Sequence, residues 1–370
     1  MANRLFWSGR RVAVTGHTGF KGSWLATWLA ELGAEVTGIG LPPSTAPSLF
    51  AASDLPRRIH SRIADVRSRE LLARHLREAQ PEVIFHLAGQ PLVLKSLQDP
   101  VATFQSNILG AVNLLDAARR LPSTRAIVVI TSDKCYLRPD RRCAEGDALG
   151  GHDPYSASKA CAEIVTEAYR SCSFPPDGGV GLATARAGNV IGGGDFSPGR
   201  LLPDLIRAFA AREPADLRHP QSVRPWQHVL DALAGYLVLA ERLAVNPASF
   251  STAWNFGPDQ DTCWTAAQVA EAAAGRFGAG SWRAAASDTA IEVPMLLLSS
   301  DQAQRWLGWR PRLPTEDAVA WAVDGYRALL RQGGTRWLVD QIHAFEALEQ
   351  GQARTVYPLP ARPEQLHAYA

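Results

Sequence analysis

VAVTGHTGFKGSWLATWLAELG, residues 12–33, is the stretch whose reading decides the fold. An apolar run precedes Gly16, Gly19 and Gly22, which stand three apart, and a helical pattern follows them. Gly16 allows a tight turn, Gly19 lets the backbone approach a pyrophosphate, and Gly22 lets the helix pack on the strand. The helix N-terminus then offers unpaired N–H groups and a positive dipole end to the phosphates. Such a triplet also occurs in strand–helix turns that bind nothing, but its place between a strand and a helix favours a dinucleotide loop. The second strand ends near Gly40 without the acid that usually holds the ribose hydroxyls of NAD, and Lys21 adds positive charge. Both facts leave NADP possible beside NAD, the cofactor expected. Asp65, in ADV after the third strand, either accepts the adenine amino group or caps a helix.

Outward from this loop the chain keeps one rhythm. Strands are expected at Arg11–Thr15, AEVTGIG, SRIADV, Glu82–Leu87, RAIVVITSD and VGLATARAGNVIG. Between them lie helical patterns such as TFQSNILGAVNLLDAARR and YSASKACAEIVTEAYR. Continuous apolar runs such as Ala126–Ile130 suit a parallel sheet covered on both faces. The pattern predicts an α/β fold, a Rossmann-type doubly wound parallel sheet. Past Gly192 helices dominate, and TAWNFGP is expected to return to the sheet as a seventh strand. The expected division is a dinucleotide-binding domain over 1–190, with 225–258 returning to it. A smaller α/β substrate-binding lobe over 191–224 and 259–335 would sit at the C-terminal edge of the sheet. Residues 351–370, with three prolines and no periodicity, read as a tail.

Composition narrows the function. The 370 residues are 46% apolar and carry a formal charge of +2, which argues against a nucleic-acid partner held by bulk charge. No apolar run approaches the ~18 residues of a membrane span, and the N-terminus lacks a signal-peptide core. Five cysteines without a CxxC read as reduced thiols of a cytoplasmic protein, and the nine histidines show no metal-ligand spacing, so no metal is expected.

In YSASK, Tyr155 and Lys159 stand one helical turn apart on one face. A neighbouring ammonium is expected to lower the phenol from about 10 towards the working range. The phenolate then takes a proton from a hydroxyl while hydride leaves the same carbon. YxxxK by itself also describes an ordinary amphipathic helix. Ser132, however, ends a buried strand 23 residues upstream, where its hydroxyl can bond the same substrate oxygen.

TGHTGFKG, HLAGQ, Asn107, Ser132, YSASK and ARAGNVIGGGD resemble the extended short-chain dehydrogenase/reductases, from about Arg11 to Arg331. HTGFKGSWL, PSLF, QPLV, TSDKCY, GGHDPYSASKACAE and RPWQHVLD are similar to the CDP-glucose 4,6-dehydratase branch. That resemblance implies a hydro-lyase that converts CDP-glucose to CDP-4-keto-6-deoxyglucose. C4 is oxidised, water leaves across C5 and C6, and hydride returns to C6. Tyr155 would be the C4 base, supported by Ser132 and Lys159. Asp133 would be the acid on the C6 hydroxyl, protonated through burial. Lys134, where the dTDP-glucose branch has glutamate, would be the C5 base, or in a plainer reading would orient substrate or water.

The cofactor contacts expected are Gly16, His17, Thr18, Gly19, Phe20 and Gly22, then Asp65 and Val66. Leu87, Ala88, Asn107 and Thr131 follow, with Tyr155 and Lys159. Substrate contacts are expected from Gln90, Ser132 and Asn189, and from Arg200 and Arg224, whose guanidinium forks suit a diphosphate. His228 and Asp231 are read as structural. The resemblance also implies a homodimer through helices near Thr103–Arg119 and Tyr155–Tyr169. The chain departs from the branch at Leu94, Leu97, Phe196, Ser299 and Gln302. Three rival readings stand beside this one. A sugar-nucleotide 4-epimerase would not need Asp133–Lys134, a related dehydratase would take another nucleotide sugar, and a non-catalytic dinucleotide sensor would not keep Tyr155 and Lys159 together.

Overall fold

In the computed structural model, which describes residues 2–138, 141–175, 177–258, 263–285, 296–331 and 335–348, the expected strands form one parallel sheet. They are β1 (Arg11–Thr15), β2 (Glu35–Gly40), β3 (His60–Ile63), β4 (Val83–His86), β5 (Ala126–Ile130), β6 (Gly181–Ala187) and β7 (Ala253–Phe256). The seven-stranded order is β7-β6-β5-β4-β1-β2-β3. β7 joins the edge in parallel, with Ala253 opposite Thr184 and Phe256 opposite Ala187. The chain reverses its direction of winding between β1 and β4, so a crevice opens beyond the carboxyl ends of those strands.

Side-chain alternation explains why both faces are covered. In β1, Val12 and Val14 enter one apolar core and Ala13 the other; in β5, Ala126, Val128 and Ile130 oppose Ile127 and Val129. One face is packed by α1 (Phe20–Glu31) and α6 (Val229–Val245), which bring Trp24, Leu25, Trp28, Leu233 and Leu237. The other is packed by α2 (Arg69–Ala79), α3 (Gly110–Ala118) and α4 (Pro154–Cys172), through residues such as Leu72, Leu76, Leu114 and Val165. Each fully buried leucine or isoleucine contributes roughly 1.5–3 kcal/mol.

Local signals set the helix that matters most. Asp153 caps α4, its carboxylate accepting from the Ser156 amide at 3.0 Å, and Pro154 opens the first turn. Beyond β6 lie α5 (Leu201–Ala211), α7 (Ala266–Phe277), α8 (Thr315–Leu330) and α9 (Arg336–Ala347). α7 starts with a Thr265–Gln268 capping box. Short two-stranded pairings stitch these elements together, including Val190–Ile191 with Gln227–His228 and Arg142–Cys143 with Leu297–Leu298. His228 caps α6 and the Asp231 carboxylate accepts from the Arg312 and Leu313 amides, in keeping with their structural reading. Among the described residues no helix is long and apolar enough to cross a membrane. The tail expected at 351–370 lies outside the described residues.

Candidate active site

The glycine loop is fixed by contact between backbones. Gly16 has φ +76°, and a Cβ there would lie 2.8 Å from the Ala88 amide nitrogen. A Cβ on Gly22 would lie 2.1 Å from the Gly16 carbonyl oxygen, so α1 starts flush against the turn. Gly19 caps α1 without a side-chain hydrogen bond, and among the described residues outside its own helix and chain neighbours its would-be Cβ meets only the Gly16 oxygen, at 3.4 Å. This is a bare helix N-terminus with open space before it, and it fits a dinucleotide pyrophosphate.

The side chains of the loop mostly face away from that space. His17 is buried, its Nε2 2.7 Å from Ser61 Oγ, and burial pushes its pKa down to about 4, so it is neutral at pH 7. A Cβ on Gly38 would lie 2.3 Å from the His17 ring, so this strand glycine makes room for it. Thr18 Oγ1 donates to the Leu41 carbonyl at 2.7 Å, and Phe20 packs beside Gly192. Lys21 corrects an expectation. Its amine interacts with Arg200, Lys159, Asp133 and Asp195, so its charge does not argue for a ribose phosphate. Burial, aided by Arg200 and Lys159, brings it down to about 7.

Several other expected contacts are engaged by the protein itself. Asp65 does not cap α2, whose N-cap is Ser68; it accepts from the Arg67 amide at 2.9 Å and from its guanidinium at 2.6 and 2.8 Å. Its carboxylate oxygens still have lone pairs for a further donor. Val66 is buried against Gly110. Leu87 and Ala88 follow β4, their amides donating to Thr15 O and Oγ1. The Asn107 amide accepts from the Gln90 backbone N–H at 2.7 Å and donates to Gln90 O and to Ser158 Oγ at 2.8 Å. It ties the HLAGQ loop to α4. Gln90, expected at the sugar, here donates from Nε2 to the Leu92 carbonyl and to Thr103 Oγ1, both at 3.0 Å, and accepts from the Leu92 amide.

At the end of β5 the chain turns sharply. Ser132 is extended and caps the turn Asp133–Cys135, its Oγ accepting from the Lys134 amide at 3.2 Å. Ser132 Oγ also donates to Asp133 Oδ1 at 2.9 Å. Asp133 Oδ2 is buried with no hydrogen-bond partner, and burial raises this carboxyl above the usual range although Lys134, Ser132, Arg224 and Lys21 pull it down. Room for it comes from Gly188, where a Cβ would lie 2.1 Å from Oδ2. Lys134 is half-buried beside Asp133.

Tyr155 is buried in the same corner, and the expected lowering of its phenol is not found. Burial raises it to about 12, and Ser132, rather than Lys159, is the main group pulling it back. The reason is geometric: Lys159 Nζ donates to the Ile130 carbonyl at 3.2 Å. Burial lowers Lys159 itself to about 8, against the pull of Glu163. Arg200 Nη1 pairs with Asp195 Oδ2 at 2.8 Å and acts on both Lys21 and Tyr155. Arg224 is buried and acts on Asp133. Asn189 sits at φ +27° after β6, a conformation asparagine tolerates better than most residues. Lys134, Arg224 and Lys21 thus act on Asp133, and Arg200 pairs with Asp195, basic side chains of the kind that suit a diphosphate.

Sequence reasoning missed the polar layer beneath this corner. Thr131 Oγ1 donates to Glu163 Oε1, Thr184 Oγ1 donates to Glu163 Oε2 at 2.6 Å, and Arg186 Nη2 pairs with Oε2 at 2.8 Å. The signal available was Glu163 standing one turn beyond Lys159 on α4.

Residues 12–255 match the model of the "NAD dependent epimerase/dehydratase family". A CDP-glucose 4,6-dehydratase from Salmonella typhimurium is 43% identical over 90% of this chain and 94% of its own. The fold is similar to UDP-glucose 4-epimerase from Thermus thermophilus, solved with NAD, at TM-score 0.73 and 25% identity over 86% of this chain and 99% of that one. A dTDP-glucose 4,6-dehydratase from Streptomyces venezuelae has the same fold at TM-score 0.72 and 24% identity, over 86% and 97% of the two chains. A doubly wound sheet with a backbone-built dinucleotide cradle, a Ser–Tyr–Lys corner and this breadth of similarity have one explanation: the chain belongs to the NAD dependent epimerase/dehydratase family.

Proposed function

We propose that the protein is an NAD-dependent CDP-glucose 4,6-dehydratase, a hydro-lyase that forms CDP-4-keto-6-deoxyglucose. Its 43% identity to a CDP-glucose 4,6-dehydratase supports the substrate. The single observation that carries the lyase chemistry is the buried Asp133 carboxyl, raised by burial, with Oδ2 unpartnered next to Ser132 and Tyr155. Epimerisation at C4 needs no acid there.

Held at the backbone of Gly16, Gly19 and Gly22, NAD would supply a reversible hydride acceptor for C4 and donor for C6. Tyr155, as a phenolate, takes the C4 hydroxyl proton as the ketone forms, and Ser132 bonds the same oxygen. The Ser132 hydrogen bond, Arg200 and the positive charge of an oxidised nicotinamide would together draw the phenol down from the value that burial gives it. The ketone makes the C5 proton acidic. Lys134 takes that proton, neutral Asp133 gives its own to the C6 hydroxyl, and water leaves. Lys134 then returns its proton to C5, the proton taken by Tyr155 passes through solvent to restore Asp133, and the sum is loss of one water from the sugar. Arg200 and Arg224 hold the nucleotide diphosphate, and Asn189 meets the sugar. The glycine loop holds the dinucleotide through its backbone. The catalytic sheet domain comprises 1–190 with 225–258, and the substrate lobe comprises 191–224 with 259–335.

A homodimer accompanies this reading. The segments 100–118 and α4 pack together and leave Val101, Phe104, Leu109 and Ile164 36–64% exposed, an apolar row suited to a second copy. Light scattering at micromolar concentration gives twice the chain mass; the chain mass alone removes the dimer.

The activity is tested by incubating the protein with CDP-glucose and following the proton NMR spectrum. A new C6 methyl signal is expected. A C4 epimer retaining its C6 hydroxyl would replace the lyase with an epimerase.

A further inference from the structure

We infer that the buried Glu163–Arg186 ion pair is a positioning device that holds the catalytic strip 132–134 by both of its ends. The two partners are each 3% exposed and meet at 2.8 Å. On the Glu163 side, the carboxylate accepts from Thr131, the residue just before Ser132. On the Arg186 side, Nη1 donates to Tyr136 Oη at 2.8 Å and to the Glu145 carbonyl at 3.0 Å. Tyr136 Oη donates onward to Asn255 Oδ1 at 2.7 Å, on β7. Ser132, Asp133 and Lys134 therefore hang between two anchors joined by one ion pair, whose members come from α4 and β6.

Backbone bonds fix the residues on either side, Thr131 N to Ala185 O at 3.0 Å and Gly150 N to Cys135 O at 2.9 Å, and the ion pair adds a side-chain tie between those two ends. The strip is a single short turn, and the Asp133 side chain lies against the open face of Gly188. Desolvation offsets much of the Coulombic gain of a buried pair, so its main effect is geometric. Reacting groups lose about a hundredfold in rate when displaced by an ångström. Glu163 also stands one turn from Lys159 and raises its pKa against burial. The same carboxylate thus sets the position of the acid–base strip and the charge of the catalytic lysine.

This inference rests on the proposed dehydratase reading for its kinetic test, and a second measurement is independent of it. Glu163→Gln in the full chain is expected to lower kcat on CDP-glucose tenfold or more, with KM changed less than threefold. The alkaline limb of its rate profile moves to lower pH, because Lys159 loses a stabilising negative charge. The double variant Glu163→Gln/Arg186→Met removes both charges, so neither is left buried alone; its Tm stays near that of the parent while kcat remains low. Tyr136→Phe cuts only the far anchor and gives a smaller fall. Independently of any substrate, hydrogen–deuterium exchange of the 131–137 peptide speeds at least tenfold in Glu163→Gln while β1 and β2 peptides do not change. Unaltered exchange in 131–137, or a kcat loss that matches the loss of folded protein with the pH profile unmoved, overturns the clamp. If the parent enzyme makes no methyl product, the dehydratase reading fails and the exchange result still decides the clamp.

Discussion

The two walls of the cleft are built from different materials. The wall of α1 is backbone against backbone: Gly16 and Gly22 leave no room for a Cβ, while His17 and Thr18 turn their side chains into the fold. The wall at the end of β5 is the reverse. Its backbone is one short turn, and its properties come from the side chains of Ser132, Asp133, Lys134, Tyr155 and Lys159 over a buried ion pair. The first wall is thus sensitive to volume and should govern cofactor binding. The second is sensitive to charge and protonation and should govern turnover.

The largest effect expected is at Asp133. Asp133→Asn keeps the size but cannot supply the C6 proton, so formation of the methyl product falls by about 10²–10⁴-fold. C4 oxidation persists, and absorbance of reduced cofactor accumulates in a single turnover. Equal loss of both steps would show that Asp133 does not separate elimination from oxidation. Next comes a volume change placed on the charge-sensitive wall. Gly188→Ala puts a Cβ 2.1 Å from Asp133 Oδ2, so kcat drops about a hundredfold, with NAD affinity kept. An unchanged kcat would mean that Asp133 is free to move.

A pH effect is smaller. Lys159, lowered to about 8, carries its charge below that pH and loses it above. The sign follows: kcat/KM declines as pH rises through about 8, about tenfold per unit, and a rate that is flat to pH 10 contradicts this role. The smallest effect on turnover is expected from the backbone wall. Gly22→Ala forces a shift of roughly 1–3 kcal/mol in stability and weakens NAD binding, measured by titration calorimetry. At saturating NAD its kcat stays within a few-fold of the parent.

Legibility in the sequence divides along the same line. The glycine loop, the strands and the return of Ala253–Phe256 to the sheet rest on local patterns of spacing and apolar alternation, which the backbone obeys directly. Ser132 and Tyr155 meet because one ends a buried strand and the other opens the helix packed beside it, while Lys159, one turn further on, bonds the Ile130 carbonyl. Side-chain direction was much less legible. Gln90 folds back because a two-residue reach to Leu92 satisfies its amide, and Asn107 is fully bonded to Gln90 and Ser158. Nothing in a linear pattern fixes such short-range competition. Lys21 turns towards Asp133 and Arg200 because its place at the start of α1 aims it past the loop. Glu163 and Arg186 were hidden for another reason: a charge inside a fully buried strand finds its partner only when the sheet and α4 are assembled.

The central claim is that one bound cofactor borrows hydride from C4 and gives it back at C6 of the same sugar, with Asp133 and Lys134 removing water in between. CDP-glucose deuterated at C4 tests it most directly. The account predicts a product whose C6 methyl carries the label, seen by NMR and mass spectrometry. A product with its C6 hydroxyl intact, or a methyl product with no deuterium at C6, would contradict it.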